Sequence, residues 1–78
     1  MAIIAKDASK AAAQYFKRLF DDPIGLALEE VERSKDGRYW LITLGYSPNI
    51  FTARRNYKVF TVDADTGEVL SMKIRKME

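Results

Sequence analysis

Seventy-eight residues with thirteen basic and eleven acidic side chains, a formal charge of +2 and 47% hydrophobic content describe one small domain, 1–78, with room for a single core. The chain has no cysteine and no histidine, which excludes disulfide staples, thiolate metal sites and cysteine nucleophiles, and removes the commonest general base and transition-metal ligand. A charge this balanced does not by itself call for a polyanionic partner, so the distribution of charge carries more than its total.

The apolar start Met1-Ala2-Ile3-Ile4-Ala5 is too short for a signal-peptide core or a membrane span, and Lys6-Asp7 interrupts it. As given, the chain reads as cytoplasmic, or extracytoplasmic if a leader has been removed, and no membrane contact is expected. A helix is predicted over 7–20. Asp7 is the candidate N-cap, its carboxylate placed to accept the free N–H groups of the first turn. Ala8, Ala12, Phe16, Leu19 and Phe20 recur at three- and four-residue spacing, with Lys10, Gln14, Lys17 and Arg18 on the other face. Asp22-Pro23 and Gly25 end the helix.

Residues 26–33 are ambiguous between strand and helix. The Asp36-Gly37 turn that follows favours a strand with a bulge or bend near Glu29-Glu30. Residues 38–46 are rich in aromatic and β-branched side chains and predict a strand. One face carries Trp40, Ile42, Leu44 and Tyr46, the other Tyr39, Leu41 and Thr43, so both faces are apolar and the strand is expected in the middle of a sheet. A long connection, 47–56, opens on the turn formers Pro48 and Asn49. Residues 57–63 and 69–75 then alternate on either side of 64–68, where Gly67 allows a positive φ. Phe60 and Val62 are expected to share the core face with Leu70, Met72 and Ile74. The order α-β-β-β-β predicts an α+β fold, one N-terminal helix packed on a curved antiparallel sheet of three to four strands.

The stretch Tyr57-Lys58-Val59-Phe60-Thr61-Val62-Asp63-Ala64-Asp65-Thr66-Gly67-Glu68-Val69-Leu70, preceded by the Asp-Gly hairpin and Tyr39-Trp40-Leu41-Ile42, resembles a PepSY-type domain, in which an aromatic-led strand ends in such a turn. The resemblance spans 7–75, and its specific part is the final hairpin. It implies the helix-on-sheet fold and a role in modulating or inhibiting peptidases. The chain departs from the usual PepSY setting in showing no leader, peptidase or membrane segment, and in its long 47–56 stretch.

Asp63, Asp65 and Glu68 bring carboxylates into one turn, but Gly67 stands fifth from Asp63 where a calcium loop of the EF-hand type needs its glycine sixth. A plain turn, with Asp63 accepting backbone N–H groups, accounts for them. No acidic residue falls between Asp36 and Asp63, whereas Arg38, Arg54, Arg55 and Lys58 do. Interleaved with Phe51, Tyr57, Tyr39 and Trp40, these cations form either a nucleic-acid face or, with Phe51, Arg54 and Arg55 as anchors, a docking site for an acidic protein. Phe51 has a third possible role, folding back to cap the core. Glu29, Glu30 and Glu32 read as charges that guard an edge strand against aggregation. The expectation is therefore a non-enzymatic protein-interaction or inhibitory module without a cofactor. It would bind a protein partner through 47–56 or a sheet edge, with nucleic-acid binding as the second reading and homodimerisation through sheet edges compatible with either.

Overall fold

The computed structural model describes residues 2–20, 23–48, 50–51 and 54–76. Its first element, α1, is a helix over Ala5–Leu19, built on a run of alanines that lose little entropy on becoming helical. Asp7 is not its N-cap. That position belongs to Ile4, whose side chain has no cap to offer, and Asp7 lies inside the first turn, where its charge complements the positive end of the helix. Tertiary anchoring takes the place of a cap: the Ile3 N–H donates to the Ala64 carbonyl at 2.6 Å, and the Trp40 indole N–H donates to the Ile3 carbonyl at 3.1 Å. The start of the helix is thereby pinned to the sheet three residues earlier than an Asp7 cap would place it.

At the other end the Phe20 N–H closes the last turn on Phe16, and Phe20 itself is extended. Ala8, Ala12 and Phe16 are buried as their spacing predicts, but Leu19 and Phe20 are about half exposed. Phe20 has left the helix, and its ring rests on Phe16 at the rim, centroids 4.8 Å apart. The stop signal at Asp22 lies outside the described residues.

Four strands follow, β1 (Ile24–Arg33), β2 (Tyr39–Ser47), β3 (Asn56–Asp63) and β4 (Val69–Arg75), paired antiparallel in the order β1-β2-β3-β4. The α+β prediction of a helix on a four-stranded sheet is the observed fold. The irregularity expected at Glu29-Glu30 is present as a register shift between Leu28 and Glu30, with a second shift between Ile24 and Ala27. Gly37, at φ +74°, completes the β1–β2 turn, where Asp36 accepts from the Ser34 hydroxyl and the Arg38 N–H. Strand β2 is interior and sends Trp40, Ile42, Leu44 and Tyr46 to the helix side.

The β3–β4 hairpin differs from expectation at Leu70 and at Ile74. A shift after Thr61 sets Val69 beside Val62, so Leu70 is the extra residue of a bulge. Val69 and Met72 therefore pack on the core with Phe60 and Val62, while Leu70 and Ile74 are exposed. Ile74 stands opposite Lys58, at the end of the sheet away from the N-terminal anchor. The core is the cluster of Ala8, Ala12, Phe16, Ile42, Leu44, Phe60 and Val62. Tyr15 and Phe16 meet the Phe60 ring nearly edge-on, a favoured aromatic geometry. Among the described residues no helix lies on the second face of the sheet.

Candidate binding surface

The end of the sheet where β3 begins and β4 finishes gathers several basic side chains. Arg54, Arg55 and Lys58 line a groove of about 630 Å³ there, together with Tyr57, Arg75 and Lys76. Among the described residues no acidic side chain lines it. Antiparallel pairing explains the gathering, because Tyr57 stands opposite Arg75, so the end of β4 returns to the start of β3. Arg75 and Lys76 were not legible as site residues from local sequence. The signal that would have found them is the hairpin register, which the bulge at Leu70 offsets by one.

Inside this end the arginines differ in their duties. The Arg55 guanidinium donates from Nη2 to the Gly25 carbonyl at 2.8 Å and to Glu29 Oε2 at 3.3 Å, and it lies over Gly45. A Cβ on Gly45 would sit 2.5 Å from Glu29 Oε2 and 3.0 Å from Arg55 Nη2. Arg75 reaches across the open face, from β4 to Thr43 Oγ1 on β2 at 2.7 Å and to Glu30 Oε1 on β1 at 2.8 Å. Glu29 and Glu30, expected as plain edge charges, are thus the internal partners of Arg55 and Arg75. Lys58 projects to the helix side, where its ammonium lies 5.9 Å from the Phe20 ring.

Phe51 is 91% exposed and Ile50 72%, so the Phe51 ring does not cap the core. Asn49, Thr52 and Ala53 of the same connection lie outside the described residues. Arg38 is at the opposite end of the sheet: it precedes β2, and its carbonyl accepts from Ala64. The expected basic aromatic face is therefore divided. Trp40 packs on the helix side, with the Arg33 guanidinium 5.3 Å above its ring. Tyr39 and Tyr57 face the other way, since they pair with Asp63 and Gly45 in the alternate register.

The acidic turn does structural work. Asp63 Oδ1 accepts the N–H groups of Asp65 and Thr66 at 2.8 and 3.0 Å. Those bonds, Thr66 first, hold its carboxyl below the usual carboxylate range. Gly67, at φ +79°, closes the turn onto the Asp63 carbonyl. Among the described residues no helix is long and apolar enough to cross a membrane. Comparison of the chain with protein-family models, with curated proteins and with solved structures gave no match.

Proposed function

We propose that this chain is a non-enzymatic protein-interaction module of inhibitory type, which docks an acidic surface of a protein partner through the 47–56 connection and the neighbouring ends of β3 and β4. The observation that carries this reading is the coincidence of exposed apolar side chains with a basic lining: Ile74 is exposed in a groove lined also by Arg54, Arg55, Lys58, Arg75 and Lys76, and Ile50 and Phe51, in the connection that leads into β3, are exposed as well. Exposed aromatic and arginine side chains are the usual anchors of protein interfaces, and a basic rim selects and steers an acidic partner. The PepSY-type resemblance of the hairpin makes a peptidase the first partner class to try.

The test is affinity capture from source-cell lysate with the wild-type chain, Phe51→Ala and Arg54→Glu side by side. A protein retained by the wild type, released by moderate salt and lost from both variants supports the reading. Retention unchanged in both variants removes the docking site from this end. Arg55→Glu is a poor probe, because Arg55 also ties β1 to β2 through Gly25 and Glu29.

Nucleic-acid binding remains the second reading, favoured by Tyr57 standing among the groove cations, a combination that stacks bases and neutralises phosphates. Titration with single-stranded DNA and RNA at low salt, followed at the Lys58 and Tyr57 amide resonances, decides it. A flat titration removes it.

A further inference from the structure

We propose that the two edges of the sheet are complementary to each other, so that β1 of one copy adds to β4 of a second copy and extends the sheet head to tail. Among the described residues, neither β1 nor β4 has a strand on its outer side. The direction of their free backbone groups follows from the turn. Asp63 donates its N–H to Glu68 on the β4 side, and Ala64 donates to Arg38 on the β2 side. Antiparallel residues bond alternately to one neighbour and the other, so Tyr57, Val59 and Thr61 bond to β4 through their partners Arg75, Lys73 and Ser71. Met72 and Ile74 consequently turn their N–H and C=O groups outward. The same alternation carried through β2 bonds Glu30 and Glu32 inward to Thr43 and Leu41, and leaves Val31 and Arg33 directed outward.

Setting Ile74 of one copy opposite Val31 of the next fixes every other pair in an antiparallel register. Lys73 then meets Glu32, and Arg75 meets Glu30, on the open face. Ile74 and Val31, 77% and 38% exposed in the single chain, cover each other on the helix side. Register is unbroken over 71–75 and over 30–33, so none of the three register shifts falls within the paired segments. Because β1 and β4 run in opposite directions within one chain, the added copy keeps its helix on the same side. Pairing β4 with β4 would instead gather Lys73, Arg75 and Lys76 with their own kind, and pairing β1 with β1 would gather Glu30 and Glu32; like charges set opposite each other are destabilising. The glutamates that guard β1 against itself are those that suit β4. Arg75 and Glu30 already bond within the chain, and in the assembly each takes the equivalent group of a neighbour. Such an interface is heterologous, so each addition leaves one β1 edge and one β4 edge available unless a ring closes.

The test is independent of partner docking. Sedimentation velocity at low salt, from micromolar to millimolar chain, is run on the wild type, Lys73→Glu, Glu32→Lys and the double variant, each checked for native circular dichroism. Both positions are exposed, so either reversal leaves the fold in place. The wild type is expected to gain mass with concentration, and each single reversal to weaken association by more than about tenfold. The double variant, and an equimolar mixture of the two single variants, regain association because every interface again opposes unlike charges. A wild type that stays monomeric throughout overturns the proposal. So do single variants that associate as well as the wild type, or a double variant that fails to recover.

Discussion

Gly45 shows how a single position shapes the surface around it. It lies on the helix-free face of β2, and a Cβ there would meet the ends of Glu29 and Arg55. The obstructing atoms, Glu29 Oε2 and Cγ and Arg55 Nη2, all belong to long flexible side chains, so Gly45→Ala is expected to displace the ion pair and leave the strand in place. The loss should be below about 1 kcal/mol, the scale of an exposed ion pair. Gly67→Ala is a different case, because its φ of +79° is one that side-chain-bearing residues resist at a cost of about 1–2 kcal/mol. Urea unfolding of the two variants separates these mechanisms, and a Gly45→Ala loss larger than that of Gly67→Ala would refute the assignment. Phe60 sets the upper end of the scale. It is fully buried and touches the rings of Tyr15 and Phe16, so Phe60→Ala should cost about 3–5 kcal/mol. For a domain of this size, with roughly 4–12 kcal/mol in total, that is enough to leave a marginal or unfolded chain by calorimetry.

Among the elements, the hairpin turn couples sequence to pH. Asp63 accepts two backbone N–H groups, and Asp36 accepts the Ser34 hydroxyl and the Arg38 N–H. Each carboxyl is held below its ordinary value, by the Thr66 N–H bond foremost for Asp63 and the Ser34 bond foremost for Asp36. A group whose folded pKa is depressed contributes stability that is full above its unfolded pKa and is lost as pH falls through the folded one. The window therefore lies below about pH 4. Carboxyl-carbon NMR titration should show Asp63 and Asp36 protonating below the ordinary aspartate range, and Asp63→Asn should flatten the acid limb of the stability curve. An Asp63 that titrates in the ordinary aspartate range would contradict the turn bonds. This turn was legible in the sequence because Asp63 and Gly67 act on residues two to four positions away. The bend at Glu29-Glu30 was legible for the same reason. What escaped depended on distant chain: the helix begins at Ala5 because Ala64 and Trp40 hold Ile3, and Arg75 joins Arg54 and Arg55 because the bulge at Leu70 sets the hairpin register. Asp7 and Leu70 each followed a sound local rule, as a capping carboxylate and an alternating apolar residue, that tertiary pairing overrode.

For the molecule as a whole, one helix has to cover a four-stranded sheet, and it does so unevenly. The buried side chains come from α1, β2 and β3, together with Ala64 in the turn after β3, and β1 contributes no fully buried residue. β1 also carries two register shifts and is held partly through the exposed pairs Arg55–Glu29 and Arg75–Glu30, contacts that contribute about 1 kcal/mol each at most. Regions with few buried apolar contacts and exposed hydrogen bonds open at free energies well below that of global unfolding. The protein should therefore open from the β1 edge inward. Amide hydrogen exchange in dilute solution is expected to find the slowest amides where β2 and β3 bond to each other, at Ile42, Leu44 and Phe60, and faster exchange at Glu30 and Glu32 in β1. Raising salt should accelerate the β1 amides selectively, since screening acts on the ion pairs and leaves the Phe16–Phe60 core unchanged. Equal protection of Glu32 and Phe60, or a uniform response to salt, would show instead that the sheet opens as one cooperative unit and that the two guanidinium bridges are stronger than their exposure implies.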